Sequence, residues 1–212
     1  MSKPSRRENP FQRRPAFRPT RESFLILCEG ESTEPHYFNA FRLTSATVRT
    51  LPVTAGDAMA VVRAAIKRRQ TEIGNGREYD HYWVVFDKDA TPDMTFNQAI
   101  ALAESNGFRV AYSNQAFELW FLLHFDYVSG PLHRNQYAVR LTKRLGFPYT
   151  KQADVARLIY KALYDRQATA IDNARRLYDQ FAGELIGTER NPATEESSTT
   201  VHLLVEHLRS FQ

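Results

Sequence analysis

Two short apolar runs, each ending in acids, constrain the fold of this 212-residue chain most tightly. Phe24-Leu25-Ile26-Leu27-Cys28 leads into Glu29-Gly30-Glu31, and Tyr82-Trp83-Val84-Val85-Phe86 leads into Asp87-Lys88-Asp89. A five-residue run without a polar member is the pattern of a strand covered on both faces, as in a parallel sheet flanked by helices. If the two runs are neighbouring parallel strands, the carboxylates of Glu29, Asp87 and Asp89 leave the sheet at one edge. Like charges crowded there repel one another, and a divalent cation would offset the repulsion.

The intervening sequence supports this reading. Gly30 permits a tight turn, Ser32 or Thr33 can cap, and a helix from about Glu34 to Arg42 carries Tyr37, Phe38 and Phe41 at apolar spacing. Val48 to Thr54 reads as a second strand, interrupted by Arg49, Thr50 and Pro52. Asp57 caps a helix reaching about Gln70, with Met59, Val62, Ala65 and Ile66 on one side and Arg63, Lys67 and Arg68 on the other. The third strand is Tyr82 to Phe86, a helix follows from about Phe96 to Ser105, and a fourth strand spans Phe108 to Tyr112. This β-α-β-α-β-α-β alternation predicts an α/β fold, a mostly parallel sheet with right-handed crossovers and helices on both faces. Ligands of such sheets bind beyond the carboxyl ends of the strands, where both acidic clusters stand.

Beyond Ser113 the pattern becomes helical. Phe117 to Phe125 is an aromatic, nearly all-apolar helix candidate, followed by amphipathic segments near 136–145, 153–163 and 168–181. Glu189 to Ser198 reads as a loop, and Val201, Leu204, Val205 and Leu208 line a last helix. The expected organisation is a basic arm over 1–22, an α/β core over 23–128 and a helical C-terminal region over 129–212 packed on that core.

Charge sharpens the division. Residues 1–21 hold seven Lys or Arg against Glu8 alone, a net +6, so the overall +4 leaves −2 for the remainder. An Arg- and Pro-rich arm without periodicity is expected to be disordered. It suits either phosphate backbones, through counterion release, or a solubilising or docking role. No apolar stretch has the length of a membrane-spanning helix, and no apolar segment of a secretory signal follows the N-terminal arginines, so a cytoplasmic protein is expected. Cys28 is the only cysteine, which excludes an intramolecular disulfide and a cysteine-rich zinc site, and its place in an apolar run marks it as a buried hydrophobe.

The chemistry is therefore sought among the acids. Hard carboxylate oxygens suit Mg²⁺ or Mn²⁺, which leave room for substrate phosphate oxygens, and phosphodiester cleavage or another phosphoryl transfer is the implied reaction. Glu29, Asp87 and Asp89 are the candidate metal ligands and, with Glu118, the candidate catalytic residues. Glu29 serves either as a ligand or as a general acid/base. If strand geometry persists into the loop, Asp87 and Asp89 project the same way and reach one ion. Lys88, Asn114 and His124 are the candidates for substrate contact. Taken singly, each acid has an ordinary alternative as a cap or surface ion pair, and His124, inside an apolar stretch, one as a structural histidine. The chain has neither a Gly-x-x-x-x-Gly-Lys-Ser/Thr phosphate loop nor a Gly-x-Ser-x-Gly elbow.

Three segments carry a resemblance: Cys28-Glu29-Gly30-Glu31-Ser32-Thr33-Glu34-Pro35-His36-Tyr37-Phe38, Phe86-Asp87-Lys88-Asp89, and Ser113-Asn114-Gln115-Ala116-Phe117-Glu118-Leu119-Trp120 with His124-Phe125. Over about residues 23–210 the chain resembles the RloB family of bacterial phage-defence proteins, whose core is similar to the Toprim fold of topoisomerases, primases and OLD-type nucleases. The resemblance implies that Glu29 is a catalytic acid and that Asp87 and Asp89 bind magnesium. It also implies a role in abortive infection beside an ATPase partner. The family's terminal Asn-Pro-Ser-Thr-like segment is split here, Asn191-Pro192 standing apart from Ser198-Thr199-Thr200. The leading expectation is a metal-dependent nuclease acting on RNA, tRNA or DNA. The alternative is a non-catalytic sensor or regulatory subunit that binds a nucleotide or an ATPase, and self-association into a homo-oligomer is left open.

Overall fold

A computed structural model describes residues 21–182 and 190–212. Residues 1–20, where the expectation of a basic arm falls, lie outside the described residues. Four strands, β1 (Glu22–Cys28), β2 (Ala46–Pro52), β3 (His81–Asp87) and β4 (Arg109–Ser113), form one sheet in the order β2-β1-β3-β4, every pair parallel. The eight α-helices among the described residues are α1 (Thr33–Asn39), α2 (Ala58–Gly74), α3 (Asp93–Ser105), α4 (Glu118–Leu123), α5 (Arg134–Leu145), α6 (Ala153–Leu163), α7 (Gln167–Ala182) and α8 (Val201–Arg209). The α/β class expected from the alternating pattern is the observed one.

Alternation within each strand divides the core in two. Leu25, Leu27, Tyr82, Val84, Phe86 and Tyr112 face α2 and α3, while Phe24, Ile26, Cys28, Trp83, Val85 and Ala111 face the opposite side, covered by α1 and the helices after β4. Because both faces are covered, strands β1 and β3 need apolar residues at every central position. Each large side chain so buried contributes about 1.5–3 kcal/mol. Trp120, Phe117 and Phe121 are fully buried in the second layer, so the aromatic run after β4 is core.

Local chemistry explains the boundaries. Asp57 caps α2 as expected, its Oδ1 accepting the Ala60 N–H at 2.8 Å. Ser32 precedes α1 but makes no side-chain cap bond; its carbonyl accepts the His36 N–H at 3.0 Å instead. Helix α1 is shorter than the apolar spacing predicts and stops at Asn39. Pro52 is tolerated in β2 because that strand is an edge of the sheet and its last residue needs no donor on the open side.

The other edge, β4, is covered from the far end of the chain. Thr200 N–H donates to Tyr112 O at 2.9 Å, Asn114 N–H donates to Ser198 O at 2.8 Å, and Ser113 and Thr199 form an antiparallel bridge. An edge strand paired in this way no longer offers a template to another chain. A hydrogen-bonded chain crosses the apolar layer on the same side of the sheet: Trp120 Nε1–H donates to Tyr37 Oη at 2.8 Å, and Tyr37 O–H donates to Gln167 Oε1 at 3.0 Å. It ties α1, α4 and α7 together.

Candidate active site

Parallel strands deliver the residues that follow them to one rim, and the register sets which ones meet. Cys28 pairs with Val85, so Glu29 leaves β1 one residue short of Asp87 and its side chain can reach forward to it. Glu29 N–H donates to Val85 O at 2.9 Å, and the Glu29 Oε2 accepts the Asp87 N–H at 3.0 Å. Of the three acids expected to converge, Glu29 and Asp87 are joined in this way, side chain to backbone.

Two more carboxylates reach this rim. Glu34, in the first turn of α1, folds back so that its carboxyl lies against the α-carbon of Gly30; a Cβ there would stand 2.8 Å from its Cδ. Glu118 opens α4 just past β4 and is buried. Its Oε1 accepts the Tyr149 hydroxyl at 2.8 Å and pairs with Lys151 Nζ at 2.9 Å.

The electrostatics follow from this crowding. Burial raises the Asp87 pKa well above the usual carboxylate range, and Glu34, Glu118 and Glu29 add to the rise, although part of the residue stays open to water. Glu34 is pushed up to about 7, first by burial and then by Glu118 and Glu29, against its own backbone hydrogen bond and the Lys151 charge. Burial also keeps the Cys28 thiol protonated, with Glu34 second, so no nucleophilic thiolate forms beside these acids.

Helix α5 and the segment after it close one side of the rim. Ala116, Glu118, Asn135, Tyr137, Ala138, Tyr149, Thr150 and Lys151 line a cavity of about 340 Å³. Tyr137 is 1% exposed, and its hydroxyl has no hydrogen-bond partner among the described residues.

The other residues singled out by sequence lie as follows. Strand β3 ends at Asp87, and Asp89 has φ +43°, so the two-residue alternation does not continue into the loop. Lys88 Nζ pairs with Asp93 Oδ1 at 2.9 Å, and its N–H donates to Ser113 O at 2.9 Å. Asn114 is fully buried, its Nδ2 donating to Pro192 O and Ala193 O, both at 3.2 Å, so it clamps the segment before α8. His124 is also fully buried, with Nδ1 2.9 Å from Trp120 O and its pKa lowered to about 4, chiefly by burial. Sequence reasoning did not single out Tyr137, Tyr149 or Lys151, and gave Glu34 only a place in a helical turn. The one available signal was Glu34 itself, an acid one helical turn after Gly30 and just ahead of the apolar Tyr37-Phe38 pair.

Among the described residues, no group of three or more His, Cys, Asp or Glu side chains is placed to hold a metal ion. An all-protein cage is thus absent from that part of the chain. The donor chemistry still suits a hard divalent ion: magnesium is usually held by one or two carboxylates, with water and substrate phosphate completing the shell. The raised Asp87 and Glu34 pKa values also mark a place where added positive charge would favour ionised acids. Glu29 and Asp87 are the residues that would hold such an ion.

No helix among the described residues is long and apolar enough to cross a membrane. Comparison with curated proteins and with solved structures finds no match. A family model described as RloB-like protein matches residues 24–208 and spans both core layers and the acidic rim, and the chain belongs to the RloB-like family.

Proposed function

We propose that the acidic rim is the catalytic site of a metal-dependent nuclease. The observation that carries this reading is the convergence of Glu29, Glu34, Asp87 and Glu118 at the carboxyl ends of parallel strands, with two of them held above the usual carboxylate pKa range. In the hydrolysis, water adds to phosphorus as one ester P–O bond breaks, leaving a phosphomonoester on one product and a hydroxyl on the other. A divalent ion, when bound, supplies charge neutralisation at the phosphate. Glu29 and Asp87 would supply hard oxygen ligands to it. Glu34, with a pKa of about 7, is suited to taking a proton from water or returning one to the leaving oxygen. Tyr149 and Lys151 fix the Glu118 carboxylate by hydrogen bond and charge.

The resemblance to Toprim nucleases and to phage-defence proteins supports extending this reading to a cytoplasmic enzyme of anti-phage defence that works beside an ATPase partner. The test is incubation of the purified protein with RNA, tRNA and DNA under Mg²⁺ or Mn²⁺, comparing wild type with Asp87→Ala and Glu29→Ala. Cleavage by wild type, lost in both variants, supports the proposal. Equal cleavage by all three removes these acids from the mechanism. A second reading, a non-catalytic regulatory subunit, is favoured by the Glu118 carboxylate being already partnered by Tyr149 and Lys151. Absence of cleavage together with capture of an ATPase partner would select it.

A further inference from the structure

Acids crowded at one rim need a positive charge nearby, and this chain brings one of its own. Lys151, in the segment between α5 and α6, places Nζ 2.9 Å from Glu118 Oε1. The same oxygen accepts the Tyr149 hydroxyl at 2.8 Å, and Tyr149 N–H donates to Thr142 Oγ1 at 2.9 Å, which ties the segment to α5. The two partners of the ion pair are unequal. The Glu118 side chain is 5% exposed and that of Lys151 63%. Glu118 is therefore fixed in place, while the ammonium can swing into solvent with little loss of contact. The charge of Lys151 also acts beyond Glu118. Glu34, pushed up by burial and by Glu118, is held back by its own backbone hydrogen bond and by Lys151. Burial favours a neutral Lys151, yet Glu118, Asp87 and Glu34 together raise its pKa. Lys88, next to Asp87 in sequence, is committed to Asp93 instead.

We propose that Lys151 is the built-in counter-cation of the acidic rim and competes there with the divalent ion. Held on Glu118, it offsets the mutual repulsion of the carboxylates; when the ion is taken up, it is released to solvent. The inference rests on the metal-dependent reading of the rim and adds a control on metal affinity to it. An ammonium and a divalent ion beside the same buried acids repel each other with little screening, so each weakens the other's hold. The weakening is reciprocal: the factor by which Lys151 lowers the affinity for the ion is the factor by which the ion loosens Lys151. The exposed, flexible stem lets the ammonium leave without disturbing Tyr149, whose hydroxyl stays on Glu118.

The test measures Mn²⁺ binding to the full chain from the electron paramagnetic resonance signal of the free ion, and binding is assigned to the rim by its loss in Asp87→Asn. Lys151→Met is expected to bind Mn²⁺ about tenfold more tightly than wild type. Lys151→Arg, which keeps the charge, is expected to stay within about twofold of wild type. In a Glu118→Gln background, Lys151→Met is expected to change affinity by less than about twofold, because nothing there anchors the ammonium. A second readout needs no variant. The rate at which an amine-directed reagent acetylates Lys151, read by mass spectrometry against the exposed Lys67 on α2, is expected to rise at least about threefold on adding Mn²⁺. Rim binding by Lys151→Met where wild type shows none also supports the proposal. Equal or weaker binding by Lys151→Met, binding by Lys151→Arg as tight as by Lys151→Met, or an acetylation rate that Mn²⁺ leaves unchanged overturns it. Rim binding indifferent to Lys151 removes the counter-cation alone, whereas no rim binding by any form removes it together with the metal-dependent reading.

Discussion

The Glu34 carboxyl occupies the space that a side chain at residue 30 would fill, packed against the bare α-carbon of Gly30. Gly30 is not held there by a left-handed backbone; it is held by this close approach, which brings the first turn of α1 onto the end of β1. Gly30→Ala should therefore displace the buried Glu34 carboxyl and destabilise the fold by about 1–3 kcal/mol, the usual cost of overpacking. Adding Glu34→Ala should restore part of that loss. A double-mutant cycle by urea unfolding is expected to give a coupling above about 0.5 kcal/mol, and additive losses would show that the two residues do not compete for the same space.

The Glu34 pKa of about 7 against an ordinary 4.5 sets a pH dependence. Between pH 4.5 and 7 the unfolded chain has released a proton that the folded chain still holds. The contribution of Glu34 is thus fully present below about pH 4.5, falls as pH rises to about 7, and is flat above, a loss of up to about 3 kcal/mol. Relative to wild type, Glu34→Gln should gain stability across that window. His124 and His202, each lowered to about 4 from 6.5 mainly by burial, act in the opposite sense and withdraw stability as pH falls from 6.5 towards 4. Urea titrations at half-unit pH steps will separate the two, since only the first disappears in Glu34→Gln.

Tyr37 is the middle member of a buried hydrogen-bonded chain, accepting from Trp120 and donating to Gln167. Tyr37→Phe leaves an indole N–H and an amide oxygen unpaired between α1, α4 and α7. The expected loss is about 2–4 kcal/mol, seen as a lower urea midpoint at unchanged slope. A change under about 0.5 kcal/mol would mean that both groups find other partners.

Much of the fold was legible because its signals are local. The polar-free runs at 24–28 and 82–86, short and set among turn and helix signals, read as strands covered on both faces, and Asp57 marked its helix start by cap chemistry. The adjacency of Glu29 and Asp87 also followed from the pattern, since it needs only that β1 and β3 be neighbours. What escaped is non-local. Tyr137, Tyr149 and Lys151 belong to helices and loops whose path back to the sheet edge no periodicity encodes, and their contacts to the rim span tens of residues. Asn114 and His124 stood out by residue type, yet the first is occupied by the carbonyls of Pro192 and Ala193 and the second by its own helix. For Asp89 the strand-alternation argument stops where β3 does, at Asp87, because the following turn takes Asp89 into the left-handed region.

The most direct measurement of the central claim is cleavage of a single-stranded oligonucleotide under Mg²⁺ or Mn²⁺ by wild type, Asp87→Asn and Glu29→Gln, each shown by its melting curve to be folded. The account predicts metal-dependent cleavage by wild type and a loss of at least about a hundredfold in each variant, the scale expected when a charge-stabilising group is removed from a site. Cleavage at wild-type rates by both variants, or none by wild type with either metal, would contradict it.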